Sequence, residues 1–214
     1  MLCLIADDHP AFCDAIYRML EKAFSEVSTV TANSLESLHE IAESKVDPQL
    51  IILDLSMPGV YGFSSLIFLR NRFADTPIII MSAREESKVI NEAINYGANG
   101  YIPKSMPLEV MIEAIRAVND GNTWVPPNVD INSDIDEEYK EVAEKLSNLS
   151  TRQFHVFKLL TEGYSNQQIA DTLFISMSTT KSHVSSIMKT LNVKTRSHVA
   201  VLARRLQLAD DEIS

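Results

Sequence analysis

Apolar and polar positions along the first half of the chain follow two periods, and the switch between them marks out the elements. Short apolar runs recur at Leu2–Ala6, Val27–Ala32, Leu50–Leu53, Pro77–Met81 and Tyr101–Pro103. They are too short for helices, and Leu50–Leu53 is apolar throughout, so it predicts a central strand covered on both faces. Between the runs, apolar residues fall at helical spacing, as in Ala15, Ile16, Met19, Leu20 and Ala23. Asn33 with Glu36 reads as a capping box opening a helix that runs to about Ser44. Further helices are expected from about Phe63 to Arg72, from Glu85 to Tyr96 with Gly97 as its left-handed cap, and from Pro107 to near Gly121. Strand and helix thus alternate five times, which predicts a parallel sheet with right-handed crossovers. A proline in the last strand places that strand at the sheet edge.

The second half changes character. Trp124, Pro126 and Pro127 close the first domain, and Asp130 to Glu144 holds seven acidic residues. Tyr139 to Leu146 could form a helix with Val142, Ala143 and Leu146 as a narrow apolar stripe, so this stretch reads as an acidic, partly helical linker. Ser150 with Gln153, and Ser165 with Gln168, then make two capping boxes fifteen residues apart. The first helix runs through Phe154, Val156, Phe157, Leu159 and Leu160 to Gly163, the second through Ile169, Ala170 and Leu173. A turn at Phe174–Ser178 leads to a third helix over about Thr179–Leu191, and a last one covers Arg196–Leu208. Two short helices joined by a tight turn read as a helix-turn-helix. The expected organisation is residues 1–122, 123–148 as linker, 149–208, and an acidic tail at 209–214.

Composition adds bounds. A chain of 214 residues with 45% apolar and 22% charged residues is composed like a globular protein of two ordinary domains. No apolar run approaches a membrane span and the N-terminus is unlike a signal peptide, so a cytoplasmic protein with no membrane partner is expected. Cys3 and Cys13 lack metal-ligand spacing and read as reduced core residues. Charge is the sharper signal: residues 1–148 carry a net −13, residues 149–208 a net +6, and the last six residues −3. An acidic body followed by a basic module suggests that the module meets a polyanion.

The strand ends hold the chemistry. In a parallel sheet they lie on one rim, so Asp7, Asp8, Asp54, Ser82 and Lys104 should converge although they span about a hundred positions. Pro58 and Gly59 stop the chain just after Asp54. Three carboxylates together call for a cation, and hard oxygen donors suit Mg²⁺. A hydroxyl and an ammonium opposite that cation are what a transferring phosphoryl group requires.

These residues resemble the receiver domain of bacterial two-component response regulators. The resemblance implies a five-stranded, parallel, doubly wound (flavodoxin-like) α/β fold in which Asp54 accepts a phosphoryl group from a sensor histidine kinase. It further implies that Asp8 and Asp54 ligate Mg²⁺ directly, that Asp7 acts through water, and that the backbone carbonyl of Ser56 completes the protein ligands. Ser82 and Lys104 would hold the phosphoryl oxygens, and Tyr101 matches the aromatic switch residue that turns inward on activation. Ser56 and Arg84 occupy places that line the approach of water to the acyl phosphate. Arg84→Ala is therefore expected to change the half-life of phosphorylated Asp54; an unchanged decay rate would remove the idea.

The third helix of the basic module sorts into two faces. Thr180, Val184, Ile187, Met188 and Leu191 form an apolar one, while Lys181, Ser182, Ser185, Ser186 and Lys189 lie opposite with no carboxylate from Ser176 through Ser197. Such a face can enter a major groove without clash or repulsion. The segments LSTRQ at Leu149–Gln153, EGYSNQQIA at Glu162–Ala170 and ISMSTTKSHVSSIMKTLNV at Ile175–Val193 resemble the LuxR-type helix-turn-helix of the NarL/FixJ family. That resemblance implies an all-α, four-helix domain in which Lys181, Ser182 and Ser185 face base edges while Thr179, His183, Lys189 and Lys194 meet phosphates. The family usually has Glu at Gln153 and more often Val at Thr180. Val199, Leu202, Ala203 and Leu206 of the last helix are candidates for core and dimer contact.

The reading that follows is a transcription regulator, not an enzyme, that binds double-stranded promoter DNA as a homodimer when Asp54 is phosphorylated. A phosphohydrolase of the haloacid dehalogenase type would need a second aspartate where Ser56 stands. The alternative left open is a regulator that ignores phosphorylation and is gated by a protein or ligand.

Overall fold

The computed structural model describes residues 1–57, 60, 62–131, 141, 142, 144–146 and 148–211; for residue 151 and residues 204–211 it describes the backbone alone. Pro58, Gly59, Tyr139, Ala143, the Leu206 side chain and residues 212–214, named in the sequence reading, lie outside the described residues. The chain divides into two compact units, Met1–Ile135 and Asp136–Ser214.

In the first unit the order is β1 (Leu2–Ala6), α1 (Pro10–Ala23), β2 (Ser28–Ala32), α2 (Leu35–Glu43), β3 (Leu50–Leu53), α3 (Ser64–Arg72), β4 (Ile78–Ser82), α4 (Ser87–Asn95), β5 (Gly100–Pro103) and α5 (Leu108–Asn119). All strand pairs are parallel and the sheet order is β2-β1-β3-β4-β5. Side chains alternate across a strand, so one set, Cys3, Ile5, Leu50, Ile52, Ile79, Met81 and Ile102, shares a core with Ile16 and Leu20 of α1 and Ala114, Ile115 and Val118 of α5. The alternate set, including Leu4, Ile51, Leu53 and Ile80, is equally buried on the other face, as continuous apolar strands require. Cys3 and Cys13 are free thiols in this core, and burial pushes Cys3 up to about 12. The cap of α2 differs from expectation: Ser34, not Asn33, is the N-cap, and it exchanges hydrogen bonds with Ser37 rather than Glu36.

Arg70 ties the far end of the sheet together. Its guanidinium donates to the carbonyls of Ala74, Thr76 and Gly97 and to Asn99 Oδ1, at 2.6 to 3.0 Å. Gly97 has φ +101°, and a Cβ there would also stand 3.2 Å from the Arg70 side chain. Removing the guanidinium strands several carbonyls at once, so Arg70→Ala should lower unfolding free energy by about 3 kcal/mol in denaturant titration.

After α5 the chain returns to the sheet. Trp124 forms a parallel bridge with Gly100, its N–H donating to the Asn99 carbonyl at 3.1 Å and its carbonyl accepting from Tyr101 N–H at 2.9 Å. Gly100 is demanded by close approach, since a Cβ there would lie 2.7 Å from Val118 Cγ2. Val129 is buried and the Asp130 carbonyl accepts from Asn91 of α4 at 3.2 Å. Trp124 and Asp130, which composition assigns to the linker, are thus tied to the edge of β5 and to α4 respectively.

The second unit contains α6 (Thr151–Thr161), α7 (Asn166–Thr172), α8 (Met177–Thr190) and α9 (Arg196–Asp211), and residues 141, 142 and 144–146 are also helical. Ser150 and Ser165 head capping boxes with Gln153 and Gln168, as the sequence predicts. The N-cap of α8 is Ser176, so that helix starts two residues earlier than expected and takes Met177 and Ser178 out of the turn. The last helix runs past Leu208 into the stretch expected as tail. Phe154, Val156, Phe157, Leu160, Ile169, Ile187, Leu191, Val199 and Ala203 are buried, and α6 packs on α7, α8 and α9. Thr180 is fully buried where Val is usual, and its hydroxyl is satisfied by the Ser176 carbonyl at 3.1 Å.

Candidate functional sites

The strand order reverses between β1 and β3, and in doubly wound sheets a crevice opens at that switch point beyond the carboxyl ends of the strands. Ladder bonds carry the chain straight out to the site: Asp7 N–H donates to the Ala32 carbonyl, Asp54 N–H to Ala6, and Lys104 N–H to Ser82. Asp7 and Asp54 are each only 2% exposed. Lys104 Nζ lies 2.7 Å from Asp7 Oδ2 and 2.8 Å from Asp54 Oδ2, and 4.3 Å from the Phe12 ring centroid. Desolvation alone would lower the Lys104 ammonium, but its hydrogen bonds to Asp54 and Asp7 outweigh that and hold it above the ordinary lysine value.

Asp7, Asp8, Asp54 and also His9 bring ligand atoms within 4.8 Å of one another. Asp8 Oδ1 is buried and accepts no hydrogen bond; His9 Nδ1 lies 2.9 Å away but without hydrogen-bond geometry. An orphaned carboxylate oxygen inside a cluster of carboxylates fits a hard divalent cation such as Mg²⁺. His9 and Phe12 are site residues that sequence reasoning missed, although His9 directly follows Asp8.

The remaining predicted residues line the same rim. Ser56 is exposed, and its N–H donates to Asp54 Oδ1 at 3.0 Å. Ser82 is buried, and its Oγ accepts from Arg84 N–H at 3.4 Å. Tyr101 is fully buried and its hydroxyl donates to the Arg84 carbonyl at 2.8 Å, so the ring already points inward. Burial pushes this phenol above the ordinary tyrosine range and keeps it a neutral donor, the Ser82 hydrogen bond opposing in part.

On α8, successive residues step by about 100° around the axis. Lys181, Ser182, Ser185 and Lys189 therefore share an arc of roughly 100°, and all four are exposed. Ser178 falls inside the same arc and is exposed too; it escaped notice because the sequence placed it in the turn. Thr179 sits in the first turn, its hydroxyl 2.8 Å from Ser176 Oγ, while Lys194 lies beyond the helix in the turn before α9. His183 is half-buried on the flank. Ser186, expected on the open face, is instead half-buried and bonded to Gln153 at 2.9 Å.

Both halves of the chain resemble known proteins. The chain matches the family described as response regulator receiver domain over residues 3–116, and the bacterial regulatory proteins of the luxR family over residues 147–203. It is 38% identical over 199 residues to the glycerol metabolism activator of Pseudomonas putida, covering 90% of each chain. It is 32% identical over 216 residues to the transcriptional regulatory protein DegU of Brevibacillus brevis, covering 92% of this chain and 90% of that one. Among solved structures, the two-component response regulator RcsB in complex with DNA superimposes with a TM-score of 0.54 at 25% identity, over 94% of this chain and 96% of that one.

Proposed function

The chain belongs to the NarL/FixJ family of two-component response regulators, transcription regulators that join a receiver to a LuxR-type DNA-binding domain, and from that premise we propose that Asp54 is its phosphoacceptor. The observation that carries this is Lys104 Nζ within hydrogen-bond reach of both Asp7 and Asp54 at the switch point. A carboxylate oxygen of Asp54 attacks phosphorus as the bond to the histidine nitrogen of a sensor kinase breaks, and that histidine takes up a proton. Lys104 and the Ser82 hydroxyl receive the equatorial oxygens. Asp8, Asp54 and the Ser56 carbonyl would hold Mg²⁺, with Asp7 acting through water, and the ion would supply positive charge against the phosphoryl group. Engagement of Ser82 draws on the loop that also holds Tyr101 through the Arg84 carbonyl, and the receiver surface shifts between populations.

The output is promoter binding as a homodimer, with Lys181, Ser182 and Ser185 toward base edges and Thr179, His183, Lys189 and Lys194 toward phosphates. Receiver 1–122, linker 123–148 and effector 149–208 remain the proposed extents, with Trp124 and Asp130 also tied to the receiver. Among the described residues no helix is long and apolar enough to cross a membrane, and a cytoplasmic location is the companion proposal. Lys189→Ala should weaken all DNA sequences alike and lower the salt slope of binding by about 1. Lys181→Ala should instead relax preference at one base pair by about 1 to 3 kcal/mol.

The direct test is capture of genomic fragments by the full-length protein with Mg²⁺, with and without beryllofluoride, repeated on Asp54→Asn. Specific fragments enriched only by wild type with the mimic support the switch. Equal enrichment in every sample would favour a regulator gated by a protein or ligand.

A further inference from the structure

The Gln153 side chain does more than cap α6. Its Oε1 accepts from Ser150 N–H at 2.9 Å, and Gln153 N–H donates to Ser150 Oγ at 3.3 Å, which completes the capping box. The remaining amide donor, Nε2, reaches Ser186 Oγ at 2.9 Å, in the middle of α8 and 33 positions away in sequence. The adjacent Arg152 donates to the carbonyl of Leu173, the C-cap of α7, at 2.6 Å. One end of α6 therefore holds both helices of the helix-turn-helix, α7 through Arg152 and α8 through Gln153.

Where the tie meets α8 decides what it does. Ser186 lies about 40° beyond Ser182, on the shoulder between the exposed arc and the buried one. The buried arc itself is held by apolar packing of Thr180, Ile187 and Leu191, which resists separation of the helices more than rotation about the α8 axis. A hydrogen bond on the polar shoulder is directional and opposes that rotation. With a helix radius of roughly 6 Å including side chains, a roll of about 10° displaces a side-chain tip by about 1 Å. Such a displacement disrupts a hydrogen bond to a base edge, whose donor and acceptor must stand within a few tenths of an ångström. It changes attraction to phosphates little, because that term falls off over the Debye length.

Resting on the reading of α8 as the DNA-contacting helix, we propose that Gln153 is a positioning residue for sequence recognition: through Ser186 it sets the roll of α8, and so separates specific from non-specific binding. The carboxamide joins the cap of α6 to α8 with an acceptor at one end and a donor at the other. Glutamate would retain the acceptor for Ser150 N–H and could accept the Ser186 hydroxyl proton, whereas methionine keeps the bulk and loses both contacts.

The test uses full-length protein with Mg²⁺ and beryllofluoride against a pool of randomised duplexes, sequenced after selection. Gln153→Met is expected to reduce enrichment of the preferred sequence over the pool by about tenfold, comparable to one mismatched base pair. Its affinity for unselected duplex at low salt should stay within about twofold of wild type. Gln153→Glu should restore the sharp preference, and Ser186→Ala should reproduce the loss from the other side of the bond. The double variant Gln153→Met with Ser186→Ala should be no worse than either single one, as expected when both cut one interaction. A sharp preference in Gln153→Met, or additive losses in the double variant, would overturn the proposal. Should Gln153→Met fail to fold, the comparison of Ser186→Ala with wild type decides it. No enrichment by wild type would instead count against the DNA reading itself.

Discussion

Asp54→Asn protein should take up essentially no phosphoryl label from acetyl phosphate under conditions that label the wild type, a loss of at least about 1,000-fold. The amide is close in shape and still fills the space beneath Lys104, so the fold should persist and the loss should be chemical. Neither neighbouring carboxylate is placed to take over. Asp7 is 2% exposed, with Oδ2 on Lys104 and Oδ1 accepting from His9 N–H at 2.8 Å. Asp8 leads into His9 and the start of α1 and lacks the ladder bond that carries Asp54 out of the centre of the sheet. Label retained on Asp54→Asn, mapped by peptide mass, would identify another acceptor and sink the assignment. Basal DNA binding should survive, since the exposed arc of α8 is built wholly from residues of the second unit.

Lys104→Met should separate three quantities that move in different directions. Removing the ammonium leaves Asp7 and Asp54 buried without their common counter-charge, so unfolding free energy in chelator should fall by about 3 kcal/mol. Mg²⁺ affinity should rise, by roughly tenfold, because a cation 2.7 to 2.8 Å from both carboxylates no longer repels the incoming ion. Millimolar Mg²⁺ should therefore recover most of the lost stability. Phosphoryl uptake should nevertheless fall about 10² to 10³-fold, the usual cost of losing one donor to developing charge. Chemical denaturation with and without Mg²⁺, metal titration by calorimetry and labelling from acetyl phosphate read the three effects. Stability unchanged in chelator would mean that the Lys104 contacts contribute nothing at rest, and Mg²⁺ affinity unchanged would mean that the ion does not share those carboxylates.

The receiver was legible because its elements announce themselves locally. Leu50–Leu53 is uniformly apolar and the residues that matter sit at the ends of such runs, so parallel topology alone gathers Asp7, Asp54 and Lys104. What escaped depends on choices that residue type leaves degenerate or on contacts distant in sequence. Asn33 and Ser34 are comparable N-cap residues, and only the backbone at Ser34, extended at φ −155° and ψ 161°, decides between them. Ser176 and Ser178 compete in the same way, which is why the start of α8 was placed late and Ser178 was missed. The bond from Gln153 to Ser186 and the pairing of Trp124 with Gly100 join residues 33 and 24 positions apart, beyond the reach of any local period.

The attachment at Trp124 bears on how this receiver could be studied by itself. Strands β1, β3 and β4 have neighbours on both sides, whereas β5 ends the sheet. Trp124 accepts from Tyr101 N–H and donates to the Asn99 carbonyl, groups that would otherwise form an open strand edge. A fragment cut at residue 116 or 122 would bare that edge beside the buried Tyr101 and offer a template for pairing with a second molecule. A fragment ending at residue 131 would keep it closed. Oligomers seen with the shorter fragment but not with the longer would then reflect the cut and not the biology of the switch.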